Sequence, residues 1–500
     1  MSGAIDIISS TIEQKTLNSC NSIIAAFFTG KNIRMNSAKE ELFPTFTLKI
    51  EVNTKVPNAF EIRIMENNQV FFCQVIDFRT NGLPLPGKEP FFQILLKRAI
   101  YIFLTEFTGE VLPWGILSGI RPGKLILRMQ DLGLNKETQA RILTELYMVS
   151  EEKANLLRTI NEIQRPYLLK IKERPDLVSV FLTIPFCPSR CFYCSFPSTQ
   201  LSVKNRGLFQ NYLDALYQEV KLTGEMMKEL GLKADSIYIG GGTPTILNAT
   251  ELEMLFQVIL KNIKMDDQIE YTVEAGRPDT IDYAKLIILK NYQVNRLSIN
   301  PQSMQEQTLR KIGRNHLVTD VLKCYGLARE LSDWVINMDL ILGLPGEGPN
   351  EIRDSVEKVL TLRPDNLTVH ALALKKGSIA WDENYEHSSC QNWLGIQSEV
   401  AQQIKSAGLN PYYLYRQKYN VGNLENVGYA LEGKECRYNM AIIEEQQNII
   451  GLGAGATSKI LKGNSGHINI YNPIDLKHYL KGFREVHLKR KRVLREEHGF

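Results

Sequence analysis

The chain has 500 residues, 44% hydrophobic and 23% charged, the balance of a globular protein able to bury a sizeable core without disulfide staples. Its formal charge of +4, from 59 basic and 55 acidic residues, gives no electrostatic ground for a nucleic-acid partner. No apolar run is long enough for a membrane-spanning helix, and the opening MSGAIDIISSTIEQK lacks the basic start and apolar stretch of a signal peptide, so the chain is expected in the cytoplasm, off the membrane.

At about 150 residues per domain the length suggests three units. Residues 1–175 read as an α+β domain of unknown role. FTLKIEV (46–52) and EIRIMENNQVFFCQVIDF (61–78) alternate as antiparallel strands, with NN as the turn. From Phe91 to Ile171 the pattern is helical, interrupted by LPWGILSGIRPGK at 112–124. RPYLLKIKERPD, carrying Pro166 and Pro175, is the expected linker.

From Val178 a different rhythm begins. β-Branched runs at 178–184, 235–240, 269–275, 295–300, 335–343 and 366–372 alternate with helical segments such as 208–230 and 249–263. That alternation predicts βαβ units and a parallel sheet, here a partial (β/α)6 barrel over 176–385, whose working face is formed by the loops leaving the strand C-termini. Residues 386–500 read as a mixed extension covering the substrate. In it GLGAGATSK (451–459) is a glycine-rich turn, and HLKRKRVLREEH (487–498) a solvated helix or tail.

Five of the eight cysteines (Cys20, Cys73, Cys324, Cys390, Cys436) are scattered singly and read as small buried apolar residues. The other three stand in VFLTIPFCPSRCFYCSFPS (180–198), directly after the first barrel strand, as Cys187, Cys191 and Cys194. Three thiolates are one short of full ligation of a four-iron cubane, and so leave one iron open, as three-ligand catalytic zinc sites do for their metal. An amino acid's amino and carboxylate groups can chelate there, as the methionine end of S-adenosylmethionine (SAM) does. The alternatives are a zinc knot, which wants a fourth ligand that no nearby CxxC or HxxxH supplies, or three buried thiols.

Over 178–460 the chain resembles the radical SAM superfamily, and in it the oxygen-independent coproporphyrinogen III oxidase family. The resemblance rests on the cysteine loop, IGGGTPT (239–245), YTVEA (271–275), NPQSM (300–304), GRNH (313–316), NMDLILGLPGE (337–347) and GLGAGATS (451–458). The N-terminal domain with LPWGILSGIRPGK, and VHALALKKGS (369–378), are similar to the HemZ-type coproporphyrinogen dehydrogenase branch.

The resemblance implies a [4Fe–4S] cluster on Cys187, Cys191 and Cys194, and SAM as cofactor. SAM contacts are expected from Phe181, Tyr193, Gly240, Gly241, Gly242, Thr243, Glu274, Gln302, Arg314, Asp339, Ala373 and Thr457. Glu274 and Asp339 are expected toward the ribose or adenosyl region, Arg314 toward the carboxylate, and the glycines toward the amino group. Glycines there also let the backbone approach a ligand closely, although any βα turn can carry one or two. Polar residues interrupting apolar strands point into a site more often than into a core, because unpaired burial is costly.

The implied reaction is oxidative decarboxylation of coproporphyrinogen III to protoporphyrinogen IX, in haem biosynthesis. A hydrogen leaves the β-carbon of a propionate, carbon dioxide departs, and an acceptor takes the remaining electron. An electron donor such as flavodoxin or ferredoxin is implied as partner, beside the acidic tetrapyrrole. Arg190, Arg277, Lys375 and Lys376 are candidates to hold its carboxylates. Phe181 and Thr183 replace a Tyr and a His of the family's oxidases. That departure keeps two alternatives open: a haem chaperone with a regulatory cluster, with His316, His370 or another histidine as axial ligand, and a radical SAM methyltransferase.

Overall fold

The structure, a computed structural model, describes residues 4–28, 32–35, 46–52, 59–66, 69–77, 82–86, 89–385, 392–417, 420–463 and 466–498. The Asn67–Asn68 turn and Cys390 lie outside the described residues. The chain divides into two compact units, Met1–Asn161 and Glu162–Phe500. The division falls inside the helix Glu151–Glu173, so the stretch expected as a linker is largely helical despite Pro166. Tyr167, Leu168 and Ile171 are buried along it, and the Tyr167 hydroxyl donates to Asp235 at 2.9 Å. These contacts offset the hydrogen bond that a proline removes.

In the first unit, Ala4–Ile8 pairs parallel with Asn32–Met35 and Phe46–Val52. Ala59–Glu66 and Gln69–Asp77 complete the five-stranded sheet antiparallel. Leu48, Ile50, Phe60, Ile62 and Ile64 are buried at alternate positions, and the helix Phe91–Thr108 packs there through Phe103 on Phe72 at 5.2 Å. Cys73 is exposed, against expectation. It lies on the edge strand one position from Phe72, and the period of two turns it to solvent.

The second unit is built on one eleven-stranded sheet. In chain order its strands are β1 (Leu177–Ile184), β2 (Lys233–Gly241), β3 (Met265–Glu274), β4 (Arg296–Ser298), β5 (Val335–Leu342) and β6 (Asn366–Ala371). After them come β7 (Asn410–Arg416), β8 (Glu425–Ala430), β9 (Ile449–Leu452), β10 (Thr457–Leu461) and β11 (His467–Tyr471). The spatial order is β7-β8-β6-β5-β4-β3-β2-β1-β9-β10-β11. Strands β1 to β6 are parallel, and the helices Arg206–Glu229, Ala249–Asn262, Tyr283–Asn291, Val318–Leu331 and Pro349–Thr361 connect them. This is the partial (β/α)6 barrel expected. Burial on both faces explains why these strands read as nearly continuous apolar runs.

The C-terminal residues extend that sheet at both edges. β8 pairs antiparallel with β6, and β9 pairs parallel with β1. The basic stretch 487–498 belongs to the helix Leu476–His498, yet Arg490 is fully buried and not solvated as expected. Its guanidinium meets the fully buried carboxylate of Glu219 at 3.1 Å. Glu219 also accepts from Gly453 N at 2.8 Å and from the Tyr479 hydroxyl at 2.7 Å, fastening the glycine-rich turn to the helix Arg206–Glu229.

Candidate active site

The three-cysteine loop leaves β1 through Pro185 and is pinned along its length by backbone bonds. Thr199 N reaches Pro185 O at 2.8 Å, Leu201 N reaches Cys187 O at 3.0 Å, and Phe192 N reaches Ile312 O at 3.0 Å. Ser189 Oγ donates to Gly313 O at 2.8 Å, and Ala380 N to Phe192 O at 3.0 Å. Cys187, Cys191 and Cys194 are free, half-buried thiols. Burial pushes the Cys194 thiol up to about 11, so a bound cation is what favours its thiolate.

Cations and a hydroxyl surround the loop. Thr243 Oγ1 lies 3.5 Å from Cys187 Sγ, and Arg277 Nη1 lies 3.7 Å from Cys191 Sγ. Arg277 is buried and is also held by Asp279 at 3.1 Å and by Ser189 Oγ at 3.0 Å. It therefore stands beside the cysteines and is not free at the mouth to meet a substrate, as expected from the sequence. Arg190 is exposed and donates to Gly377 O at 2.5 Å, while Lys375 and Lys376 are exposed at their surface, and partial burial of its ammonium holds Lys375 below the usual lysine range.

The glycine run closes β2 against this loop. A Cβ on Gly240 would stand 2.6 Å from the Glu274 carboxyl, and one on Gly242 2.5 Å from Ile184 O. Only glycine leaves room for that approach. Glu274, at the end of β3, accepts from the Tyr238 hydroxyl at 2.7 Å and from Gly241 N at 3.2 Å. Burial, joined by the charge of Asp339, pushes its carboxyl up to about 7 against these two donors.

Asp339 on β5 accepts from Asn337 Nδ2 at 2.8 Å and lies 3.7 Å from His370 Nε2. Gln302 is buried with φ +67°, a left-handed backbone in a non-glycine residue, bridged to β5 through Asp339 O and Ile341 N. Such strain persists where surrounding structure enforces it, and clusters at functional sites. Arg314 donates to Gly276 O at 3.0 Å, Asn300 O at 2.6 Å and the Tyr193 hydroxyl at 3.2 Å.

Gln302 Oε1, Asn300 Oδ1 and Arg314 Nε are buried without a hydrogen-bond partner among the described residues. Orphaned polar atoms of both kinds beside a glycine cradle suit a ligand carrying ammonium, carboxylate and hydroxyl groups, as SAM does. Three thiols on one loop are the donor set of a cluster with one open iron. Among the described residues no three His, Cys, Asp or Glu side chains converge on one point as a single zinc requires. A cubane needs no such point, because each thiolate binds a different iron.

Phe181 faces Tyr438 at 5.8 Å, and Tyr438 stacks on Tyr238 at 4.5 Å. Tyr438 comes from the short helix Arg437–Glu444, which no periodic pattern announced. A cavity of about 290 Å³ is lined by Tyr238, Glu274, Asp339, His370 and Tyr415. His370 Nδ1 lies 3.2 Å from the Tyr415 hydroxyl, and His316 is only 2% exposed. Thr183 is fully buried and donates to Ala454 O at 3.0 Å, so it holds the glycine-rich turn. Ala373 bridges Asn420 past the end of β6. Thr457 opens β10 with its backbone against Gly451, which stands opposite Phe181.

Residues 181–359 match the family described as the radical SAM superfamily. A Bacillus subtilis (strain 168) protein named oxygen-independent coproporphyrinogen-III oxidase-like protein HemZ is 41% identical over 79% of this chain and 80% of its own. The chain belongs to the radical SAM superfamily, in its oxygen-independent coproporphyrinogen III oxidase family. The cofactors of this superfamily are a [4Fe–4S] cluster and SAM. The heme chaperone HemW of Bacillus subtilis (strain 168) is 31% identical over 62% of this chain and 78% of its own. Among solved structures, the coproporphyrinogen III oxidase HemN of Escherichia coli shares the fold, with TM-score 0.51 and 24% identity over 64% of this chain and 72% of its own.

Proposed function

We propose that this radical SAM protein decarboxylates two propionates of coproporphyrinogen III to vinyl groups without oxygen. The observation that carries the reading is the set of polar residues at the strand ends beside the cysteine loop, with buried polar atoms on Gln302, Asn300 and Arg314 left for a ligand to pair. The relative at 41% identity, named an oxygen-independent coproporphyrinogen-III oxidase-like protein, supports the substrate.

In this reading Cys187, Cys191 and Cys194 hold the cluster, leaving one iron without a protein thiolate. The backbone at Gly240–Gly242 receives the amino group of SAM, Arg314 faces its carboxylate, and Glu274 and Asp339 take ribose hydroxyls. Phe181, Tyr193, Thr243, Gln302, Ala373 and Thr457 line the remaining cofactor surface. Bound there, cluster and SAM supply a 5′-deoxyadenosyl radical by one-electron cleavage of the sulfonium. The chain positions a propionate β-carbon and excludes water, so geometry dominates the rate. Lys375 and Lys376, and Arg190 at the loop margin, are the cations left to hold carboxylates.

Reconstituted anaerobically with reductant, the protein is expected to convert SAM to methionine and 5′-deoxyadenosine faster when coproporphyrinogen III is present. Cleavage without stimulation by the porphyrinogen removes the substrate assignment and keeps the cofactor chemistry. Tight stoichiometric haem binding with no SAM-dependent product gives the chaperone reading its place, which the Phe181 and Thr183 substitutions and the HemW relative favour.

A further inference from the structure

The LPWGILSGIRPGK segment of the first unit has no part in the barrel chemistry, yet it walls a cavity of about 420 Å³. That volume lies within the range of small-molecule sites. The wall is rigid. Gly115 has φ +51°, and a Cβ there would stand 2.2 Å from Tyr147 O, so only glycine fits. Ile116 N donates to Tyr147 O and Ser150 N to Pro113 O, both at 2.9 Å, and the Tyr101 hydroxyl donates to Leu112 O at 3.1 Å. Trp114 and Ile116 are buried beneath.

The lining brings together four cations, Lys97, Arg121, Lys124 and Arg128, against one carboxylate, Glu89. Glu89 is spent on Lys97, with which it forms an ion pair. The Arg128 guanidinium has no hydrogen-bond or ion-pair partner among the described residues. Tyr147 is only 5% exposed, lines the same cavity, and its hydroxyl has no hydrogen-bond partner among the described residues. The cavity also opens at the start of the helix Gly123–Asp131, whose partial positive charge has the same sign as the lining. Ile116, Ile120 and Leu125 give the walls an apolar part.

We propose that this cavity binds a small organic anion, a carboxylate or phosphate carried on an apolar body, through Arg121, Lys124, Arg128 and the Tyr147 hydroxyl. The site rests on the first unit alone and stands or falls independently of the barrel's substrate. Fixed cations on a preformed wall lose little freedom on binding, which favours affinity. Coproporphyrin III, an air-stable tetracarboxylate, and ATP represent the two sources of such an anion.

The test is equilibrium dialysis of each probe against the full chain and its Arg128→Gln, Lys124→Gln and Tyr147→Phe variants. At least one probe is expected to bind, with about tenfold weaker affinity in each charge variant and a few-fold weaker in Tyr147→Phe. Which probe behaves so identifies the anion as carboxylate or phosphate. Iron content and SAM cleavage should be unchanged in all three, which shows that they fold and separates this site from the barrel. Binding that none of the variants alters, or no binding of either probe at millimolar concentration, overturns the proposal.

Discussion

Tyr238 on β2 donates its hydroxyl to Glu274 on β3 across 2.7 Å. Gly241 N occupies the other carboxylate oxygen at 3.2 Å, yet burial and the neighbouring Asp339 outweigh both donors and set Glu274 near 7. Glu274 is thus increasingly protonated below that pH and a carboxylate above it. A carboxylate accepts two ribose hydroxyls better than a carboxylic acid does. SAM affinity should therefore fall as pH drops from 8 to 6, and Glu274→Gln should bind weakly with no such slope. Equilibrium dialysis across that range checks it, and a flat wild-type profile places Glu274 outside the SAM site.

The cysteine assignment separates by position. Cys187→Ala, Cys191→Ala or Cys194→Ala should reduce iron in the anaerobically reconstituted protein from about four per chain to near none. Cys324→Ala should keep it, because burial alone pushes the Cys324 thiol up to about 12 and holds it neutral. Iron and sulfide analysis with the visible spectrum reads the result. Stoichiometric zinc in place of iron would contradict the cluster.

Glu219 and Arg490 are both fully buried and pair at 3.1 Å. Glu219→Gln leaves the guanidinium uncompensated, which costs about 3–5 kcal/mol in comparable buried pairs. Denaturant unfolding should show that loss, and the pair's removal should also loosen the turn at Gly453. A stability change below about 1 kcal/mol would mean that the helix Leu476–His498 is not anchored this way.

His487, 5% exposed in the same cluster, has its imidazole lowered to about 4 by burial and by the charge of Arg490. The unfolded chain takes up that proton near pH 6.5, the folded one only near 4. Stability is therefore complete above about 6.5 and declines as pH falls toward 4, by on the order of 2–3 kcal/mol for this residue. His487→Gln should flatten that part of the pH–stability curve, measured by urea unfolding. An unchanged slope assigns the acid sensitivity elsewhere.

Strands β1 to β6 were legible because burial on both faces leaves nearly continuous apolar runs, and β1 with its LVSVFLTI is the plainest case. The cysteine spacing carried its own chemistry. Glu274, Gln302, Arg314 and Asp339 stood out as polar residues in apolar or strand-end company, and the fold gathers them. Arg277 did not reveal itself: a cation at a loop end looks solvated until Asp279 and Ser189 are seen around it. Tyr438 was equally hidden, on an eight-residue helix too short to show a period. Long-range pairing also escaped a linear reading. β9 is four residues long, and its place beside β1 depends on the buried contacts of Gly453 and Arg490. The buried position of Arg490 inside HLKRKRVLREEH likewise depends on Glu219, 271 positions away.

The central claim is oxygen-independent decarboxylation, and product mass tests it most directly. The anaerobically reconstituted chain, given SAM, reductant and coproporphyrinogen III, should yield porphyrinogens lighter by one and then two units of carbon dioxide plus two hydrogens. Lys375→Ala with Lys376→Ala should raise the substrate concentration needed by about tenfold to a hundredfold, as loss of a charge-assisted bond does. Uncoupled SAM cleavage should persist in that variant. An unchanged porphyrinogen mass alongside active SAM cleavage would contradict the account.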